Sequence, residues 1–237
     1  MSIGIPSSNQ TPTQTPELVA LWGWGGQDIK SIIGRFFIGD PPNRILEVRD
    51  IDFSQGRNAK LLDALLKYNN PDNNHPESFL RFNNCNMSGV NLSGRNLSNI
   101  EFYESNLSGA NLQNTRIVGP EEPSREDDKL IRTSRFHDGT NFTGADFSGA
   151  TIRYIKFLDC NFHSADFRGA TIESSRFDYV QNINTIRINN STDFRKSEIT
   201  YNDDFPQQRA KELESFFRKY IENGSLKVGS TPSGRDD

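Results

Sequence analysis

The sequence predicts an all-β protein in which short parallel strands stack into a four-sided solenoid flanked by α-helical caps. Three observations carry this prediction. The segment Asn141–Phe157 matches the segment Asn161–Phe177 position by position at an offset of 20 residues. Within both copies a large apolar residue recurs at every fifth position. A hydrophobic content of 33%, with 17 phenylalanines among 237 residues, fits a modest and aromatic core.

The five-residue period excludes an amphipathic helix and a flat strand. On a helix, steps of five residues advance by about 500° and scatter the apolar side chains around the axis. A flat strand repeats every two residues. A chain that turns a corner every five residues places the large residue, and the small residue two positions before it, on the inside. Four corners close a coil of about 20 residues, and stacked coils pair as parallel strands about 4.8 Å apart.

The series of large apolar residues falls into two blocks. The members are Phe82, Met87, Leu92, Leu97, Phe102, Leu107, Leu112 and Ile117 in the first block, and Phe142, Phe147, Ile152, Phe157, Phe162, Phe167, Ile172 and Phe177 in the second. The stretches GANL, GADF, VNLSG and SADFRGATI resemble the A(D/N)Lxx pattern of the pentapeptide-repeat family. The resemblance covers about half of the chain. It implies a right-handed quadrilateral parallel β-helix and a family whose members are mostly not enzymes.

The chain divides into five parts. Residues 1–17 are rich in Ser, Thr, Pro and Gln and are predicted to be disordered. Residues 18–79 are predicted to form a mixed α/β cap, with a short helix at 27–37, a strand at 44–53 and an amphipathic helix at 59–68. The β-helix is expected over 80–200. A C-terminal helix over 201–223, with Asp204 as its N-cap and Gly224 as its stop, precedes a predicted flexible tail at 224–237.

Two features interrupt the repeat. Arg95 occupies a slot that should face inward, so either the coil swells locally or the side chain escapes at an edge. The in-register positions between Ile117 and Phe142 are polar, which predicts a loop near residues 118–135. Ile131 and Phe136 restore the period, and one extra residue before Phe142 indicates a bulge. The last coils are less regular, and their candidate inward residues are Ile183, Ile188, Phe194 and Ile199.

The sequence offers no pattern that indicates catalysis or metal binding. His75, His137 and His163 have no partner at a suggestive spacing. Cys85 and Cys160 are too few for a disulfide framework or a zinc site, and both are predicted to be buried. Ser and Thr are frequent because the repeat places them directly after the central residue. We therefore expect no enzymatic activity, no cofactor and no metal.

Specificity is predicted to reside in the caps and the interruption, because the regular repeat specifies only a scaffold. The candidate partner-binding residues are cap aromatics and charged residues of the loop: Trp22, Trp24, Glu121, Glu122, Arg125, Asp127, Asp128, Phe216, Phe217 and Tyr220. The two tryptophans alternatively complete the N-terminal cap. The three aromatic candidates of the C-terminal helix, Phe216, Phe217 and Tyr220, predict a homodimer through that helix.

The leading functional hypothesis is a protein–protein interaction or regulatory scaffold with a protein partner and no nucleic-acid or membrane partner. No apolar run reaches the length of a spanning helix, and the N-terminus lacks a signal sequence, so we expect a cytoplasmic location. The family resemblance implies an alternative, a DNA mimic that protects gyrase or another type II topoisomerase. A mimic needs an acidic face, whereas residues 80–200 hold 15 acidic and 14 basic side chains. A secreted effector is the second alternative.

Overall fold

The structure is a computed structural model that describes residues 37–38, 45–68, 79–119, 135–137, 139–201 and 206–230. The strands in these residues are β1 (Phe37–Ile38), β2 (Ile45–Arg49), β3 (Phe79–Asn83), β4 (Ile100–Tyr103), β5 (Arg116–Val118), β6 (Arg135–His137), β7 (Thr151–Arg153), β8 (Lys156–Leu158), β9 (Thr171–Glu173), β10 (Arg176–Asp178), β11 (Asp193–Arg195), β12 (Ser197–Tyr201) and β13 (Leu226–Ser230). The helices are α1 (Ala59–Tyr68), α2 (Gln207–Phe216) and α3 (Arg218–Glu222).

Parallel pairing between successive coils builds a four-sided rod. Face A is a sheet in the order β1-β2-β3-β4-β6-β8-β10-β12-β13, in which only the short β1 runs antiparallel to its neighbour. Face D is a sheet in the order β11-β9-β7-β5. Faces B and C are joined by isolated bridges, exemplified by Asn86↔Asn106 on face B and Asn91↔Asn111 on face C. The predicted parallel β-helix with flanking helices is confirmed.

The inward residues of each face form a continuous column. On face A the rings of Phe82, Phe102, Phe136, Phe157 and Phe177 stack at centroid separations of 4.8–5.2 Å, and all five are buried. The small slots beside the columns are filled by Ala110, Ala145, Ala150, Ala165 and Ala170, which are fully buried. Because alanine leaves room at the corners, rings of neighbouring columns also meet edge to face. The core is therefore continuous from coil to coil.

The Asn or Asp between the small and the large residue fixes each corner. Its side-chain oxygen accepts a hydrogen bond from the backbone N–H two residues later, as in Asn106 to Ser108 at 3.1 Å and Asp146 to Ser148 at 2.9 Å. The next position is commonly a glycine in the left-handed region, as at Gly109. This local bond explains the frequent Asn and Asp of the repeat as turn residues.

The first rung of the rod lies earlier than predicted. β2 pairs in parallel with β3 through Ile45↔Phe79, and Asp52 bridges to Asn86. The predicted boundary at residue 80 was therefore wrong, because it divides a continuous sheet. The strand within 44–53 and the helix at 59–68 are confirmed as β2 and α1. The short helix predicted at 27–37 lies outside the described residues except for Phe37, which belongs to β1.

Helix α1 explains the polar side chain in an inward slot. Leu61, Leu62 and Leu65 on α1 are buried in the core cluster. Arg95 turns out toward the same helix, where its Nη2 lies 2.5 Å from Asp63 Oδ1. Arg95 therefore escapes at the edge, as the second of the two alternatives predicted.

At the interruption of the repeat, the chain leaves the rod after one rung and returns to it at the neighbouring rung. β5 ends at Val118, and β6 resumes face A, with Phe136 stacked between Phe102 and Phe157. The predicted return of the period at Phe136 is confirmed. Residues 120–134, the predicted loop, lie outside the described residues.

Gly119 marks the point at which the chain leaves the coil, and its replacement by alanine should destabilise the fold. A Cβ atom there would overlap the carbonyl oxygen of Tyr154, which belongs to the backbone and cannot turn aside. We expect Gly119→Ala to lower the free energy of unfolding by about 1–3 kcal/mol, measured by chemical denaturation. Gly229→Ala is the matched control, because a Cβ there meets nothing within 4 Å. An equal loss in both variants would contradict this explanation.

The C-terminal region corrects two predictions. The single helix predicted over 201–223 is instead α2 and α3, which meet at Phe217, and Tyr201 ends strand β12. Pro206 directly precedes α2, whereas the predicted N-cap Asp204 lies outside the described residues.

The prediction of a flexible tail at 224–237 is also wrong for the part that includes Leu226–Ser230. Leu226–Ser230 forms β13 and pairs in parallel with β12. Gly224, at a φ of 73°, ends α3 as predicted and turns the chain back to the sheet. The physical reason is the open edge of β12, which offers a hydrogen-bonding ladder to a segment whose Leu226 is buried.

Candidate interaction surfaces

The repeat register breaks in the last coil. Phe157 and Phe177 are paired neighbours 20 residues apart, whereas Phe177 pairs with Ile199 and Ile172 with Phe194, both at 22 residues. Part of the extra length forms a 3-10 turn at Ile183–Thr185, which follows Asn182 in the left-handed region. The corner between faces B and C is therefore irregular here, because Gln181 still pairs with Asn161 on face B, whereas Arg187 pairs with Asp166 on face C at 21 residues. The predicted inward residues Ile183, Phe194 and Ile199 are buried, and Ile188 is half-buried.

This irregular corner and helix α2 enclose a groove of about 620 Å³. Its floor is apolar and consists of Val180, Ile183, Ile199 and Leu213. Its rim carries aromatic hydroxyls and charges, namely Tyr179, Tyr201, Asp159, Arg209 and Glu212. The groove thus combines four aliphatic side chains with a larger number of polar ones, at a volume within the range of ligand clefts in proteins.

Two of the three candidate aromatics of the C-terminal helix belong to the chain's own core. Phe217 is fully buried, and its ring centroid lies 5.5 Å from that of Phe194. Tyr220 is also buried, lies 5.1 Å from Phe194, and donates its hydroxyl to the carbonyl oxygen of Asn189 at 3.2 Å. Burial raises the pKa of Tyr220. Only Phe216 remains half-exposed.

The other candidate partner-binding residues lie in parts of the chain that the structure does not describe. They are Trp22, Trp24, Glu121, Glu122, Arg125, Asp127 and Asp128. The groove, in contrast, was not predicted from sequence. The signal that could have located it is the change of register after Phe177.

The described faces of the rod mix charges of both signs. Face B is neutral over most of its length, with the amides of Asn86, Asn106, Asn141 and Asn161 in line. Face C balances Asp146 and Asp166 against Arg168 and Arg187. Face D balances Glu173 and Asp193 against Arg116, Arg153 and Arg195. Over the described residues, therefore, none of these three faces carries a continuous acidic strip.

On face C the charges pair locally. Arg168 Nη2 lies 2.6 Å from Asp166 Oδ2, and this hydrogen bond lowers the pKa of the Asp166 carboxyl. Asp166 is buried and Arg168 is exposed, so the pair holds the arginine side chain against the corner.

Face A carries a ladder of ion pairs across its outer surface. The buried Asp178 accepts a hydrogen bond from Thr200 at 2.7 Å, and Lys156 and Arg176 each lie 3.3 Å from its carboxylate. Glu198 on the next rung lies 3.8 Å from Arg176. Positive and negative side chains therefore alternate on the outer surface of this sheet, and the surface is not acidic.

The cysteines are buried as predicted. Cys85 and Cys160 are free thiols with 1% and 0% exposure, and burial raises the pKa of Cys85 to about 12. His163 is exposed, whereas the side chains of His75 and His137 are outside the described set. Among the described residues no group of His, Cys, Asp and Glu has the arrangement of a metal site. In that same part of the chain, no helix has the length and apolarity that a membrane span requires.

Comparison with known protein families agrees with the repeat. The family model described as "Pentapeptide repeats" matches residues 85–119 and 139–178 in eight copies. These two segments of the chain therefore consist of pentapeptide repeats. A search of curated protein sequences found no match.

Several solved structures match this chain at low similarity. The pentapeptide repeat protein Rfr23 from the cyanobacterium Cyanothece 51142 is 16% identical, with 61% of this chain and 82% of that chain covered and a TM-score of 0.28. Full-length QnrB1, a plasmid-mediated fluoroquinolone resistance protein, is 13% identical, with coverage of 51% and 75% and a TM-score of 0.29. HetL, involved in heterocyst differentiation regulation in Nostoc sp. strain PCC 7120, is 14% identical, with coverage of 53% and 62% and a TM-score of 0.18. At these scores they carry no argument about function.

Proposed function

We propose that this protein is a non-enzymatic interaction or regulatory scaffold that binds a protein partner at the C-terminal end of its rod. The observation that carries the proposal is the groove between the irregular corner and α2. The repeated corners of faces B and C present short side chains held by local hydrogen bonds, and the groove interrupts this repeated surface. A concave apolar floor desolvates a partner's side chain, which is where binding energy concentrates in protein interfaces.

The rod supports this role by holding the groove in a fixed shape. β12 contributes Ile199 and Tyr201 to the groove and is paired on both sides, to β10 and to β13. Leu213 of α2 is buried and joins the helix to the same core. A preformed site reduces the ordering entropy that association must overcome.

Crosslinking capture from the native cell extract, with quantitative mass spectrometry, tests the proposal. The groove variant exchanges charges at two exposed rim positions, Arg209→Glu with Glu212→Arg, and keeps the net charge. The control, Arg187→Glu with Glu104→Arg, does the same at exposed positions away from the groove. We expect a partner that the wild type and the control capture equally and that the groove variant loses by about tenfold or more. Equal capture by all three proteins would overturn the proposal.

The alternative of DNA mimicry lacks the feature that it requires. The described faces mix both signs, and face D carries an excess of arginine, whereas a decoy needs a coherent negative face. We expect no inhibition of DNA gyrase in a supercoiling assay at micromolar excess of this protein. Inhibition there would favour the mimic over the scaffold. The secreted effector stays a prediction.

Self-association at the C-terminal end is a subsidiary prediction that rests on Phe216. Its ring lies 4.8 Å from Phe217, and it is half-exposed, as are Ile221 and Val228. We expect the wild type to be a dimer and Phe216→Glu to be a monomer, because a carboxylate in an apolar interface stays unpaired. Light scattering measures the mass.

The neighbouring exposed Ser215 supplies the control, since Ser215→Glu adds the same charge and should leave the dimer intact. A wild type that is already monomeric would remove this prediction.

A further inference from the structure

The edge between faces D and A concentrates cations in the C-terminal half of the rod. We call this surface the D–A edge and define it by the outward residues of three successive rungs and the last strand: Arg153 and Lys156, Glu173 and Arg176, Arg195, Lys196 and Glu198, and Lys227. Register places these rungs directly beside one another, because β8, β10 and β12 are consecutive on face A and β7, β9 and β11 are consecutive on face D.

The cations of the D–A edge are accessible. Their side-chain exposures run from 39% at Arg153 to 84% at Lys227, and Lys196 is exposed at a corner with a φ of 51°. The two outward carboxylates, Glu173 and Glu198, are less exposed, at 24% and 37%. Cationic groups therefore dominate the outer layer, and the carboxylates lie lower between them.

The ion pairs within this surface leave cations in excess. Arg153 pairs with Glu173 at 3.0 Å and Arg195 with Asp193 at 2.6 Å. Two carboxylates each serve two cations: the buried Asp178 lies 3.3 Å from Lys156 and from Arg176, and Glu198 lies 3.8 Å from Arg176 and 3.7 Å from Lys227. The contacts of Glu198 are weak at this distance, and ion pairs of exposed side chains add little stability in general, so a partner's carboxylates can compete for the exposed cations at little cost.

We propose that the D–A edge binds an acidic α-helical segment of a partner protein, which lies along the axis of the rod. This inference rests on the proposed interaction function and adds a second contact surface to the groove.

The spacing of the rungs favours a helix. Ring stacking sets the rung repeat at 4.8 Å between Phe157 and Phe177 and 4.7 Å between Phe147 and Phe167. Residues three and four apart on a helix are separated by about 4.5 and 6 Å along its axis, so carboxylates on one helical face follow successive rungs. In an extended strand, side chains on one face are ~6.6 Å apart, so they fall out of register with the rungs after fewer residues.

The interleaved carboxylates favour a peptide over a nucleic acid. A phosphate backbone carries a charge at every step and would meet Glu173 and Glu198 as well as the cations. A helix can place a neutral or basic residue opposite each of these two carboxylates. Complementary placement of both signs is a source of specificity in protein interfaces.

Fluorescence anisotropy with the full chain tests the proposal. The probe is a labelled synthetic helix of about 20 residues, roughly 30 Å long, with Glu at every third or fourth position of one face. The same helix with Gln in place of Glu, and a short DNA duplex, are the comparison ligands. The test variant is Arg195→Glu with Lys196→Glu, and the control variant is Arg116→Glu with Arg187→Glu. Both change the net charge equally, and Glu104 shows that glutamate fits the corner conformation of Lys196.

We expect the wild type to bind the Glu helix in preference to the Gln helix and the duplex, with an affinity that falls as salt is raised. The affinity of the test variant for the Glu helix should fall by about tenfold or more, and that of the control variant should stay within about twofold of the wild type. Three results would each overturn the proposal: no preference for Glu over Gln, equal losses in both variants, or tighter binding of the duplex. Circular dichroism of both variants establishes that they are folded.

The outcome is separable from that of the capture experiment. The groove variant and the D–A edge variant alter different residues, so a partner captured through the groove is unaffected by failure of the acidic probe. Binding of the probe without any captured partner would sustain this inference and count against the groove.

Discussion

Replacing Phe157 by alanine is expected to lower the free energy of unfolding by about 3–5 kcal/mol. Phe157 is fully buried in the middle of the face A column. Its ring stacks on Phe136 at 5.0 Å and on Phe177 at 4.8 Å, and it meets Phe162 edge to face at 5.2 Å. The variant therefore removes contacts to two rungs and one neighbouring column at once, and the fixed rung spacing limits how far the cavity can collapse.

Chemical denaturation followed by circular dichroism measures this loss. Phe157→Leu is the matched control, since it keeps most of the volume and should cost less than about 1.5 kcal/mol. Because each coil contacts only its neighbours, the alanine variant should also separate the unfolding of the two ends of the rod. A loss below about 1 kcal/mol, or one equal to that of the leucine variant, would mean that the stacked column does not hold the coils together.

The regular part of the fold could be predicted because the repeat determines it residue by residue. A residue such as Phe162 recurs at a period that only a four-cornered coil can bury, and Asn161 before it supplies the turn bond. Both elements of the pattern are local, so the sequence contains them directly. Helix α1 was predictable for the same reason, since its leucines follow helical spacing.

The ends of the rod could not be predicted in this way, because tertiary pairing decides them. Ile45 to Arg49 reads as a strand, but only its register with β3 makes it a rung. Leu226 to Ser230 is short and flanked by Gly and Ser, and it becomes a strand because the edge of β12 is available. The groove also depends on tertiary structure, because it forms only where the lengthened corner and α2 lie against each other.

The position of Phe217 shows why the candidate aromatics divided as they did. Helical spacing placed Phe216, Phe217 and Tyr220 together on a predicted surface. The break between α2 and α3 turns Phe217 and Tyr220 onto Phe194, the last inward residue of face D. These two residues therefore close the end of the solenoid, and Phe216 alone stays available for contact with another chain.

Phe217→Ala is expected to release this cap and to lower the free energy of unfolding by about 3–5 kcal/mol. The ring is fully buried against Phe194, and the chain that follows it carries Tyr220 and then β13. Loss of the ring leaves a cavity at the hinge of the two helices. The edges of β11 and β12 would then be exposed, and unpaired strand edges promote aggregation.

Hydrogen exchange locates the effect and distinguishes a cap from a general core residue. Amides of Leu226–Ser230 should exchange much faster in Phe217→Ala, whereas amides near Phe102 should keep the protection of the wild type, because coils interact only with their neighbours. Phe216→Ala is the control, since its side chain is half-exposed and its loss should leave β13 protected. Unchanged exchange in β13 after Phe217→Ala would show that pairing with β12 alone holds the last strand, and that the helices do not secure the end of the rod.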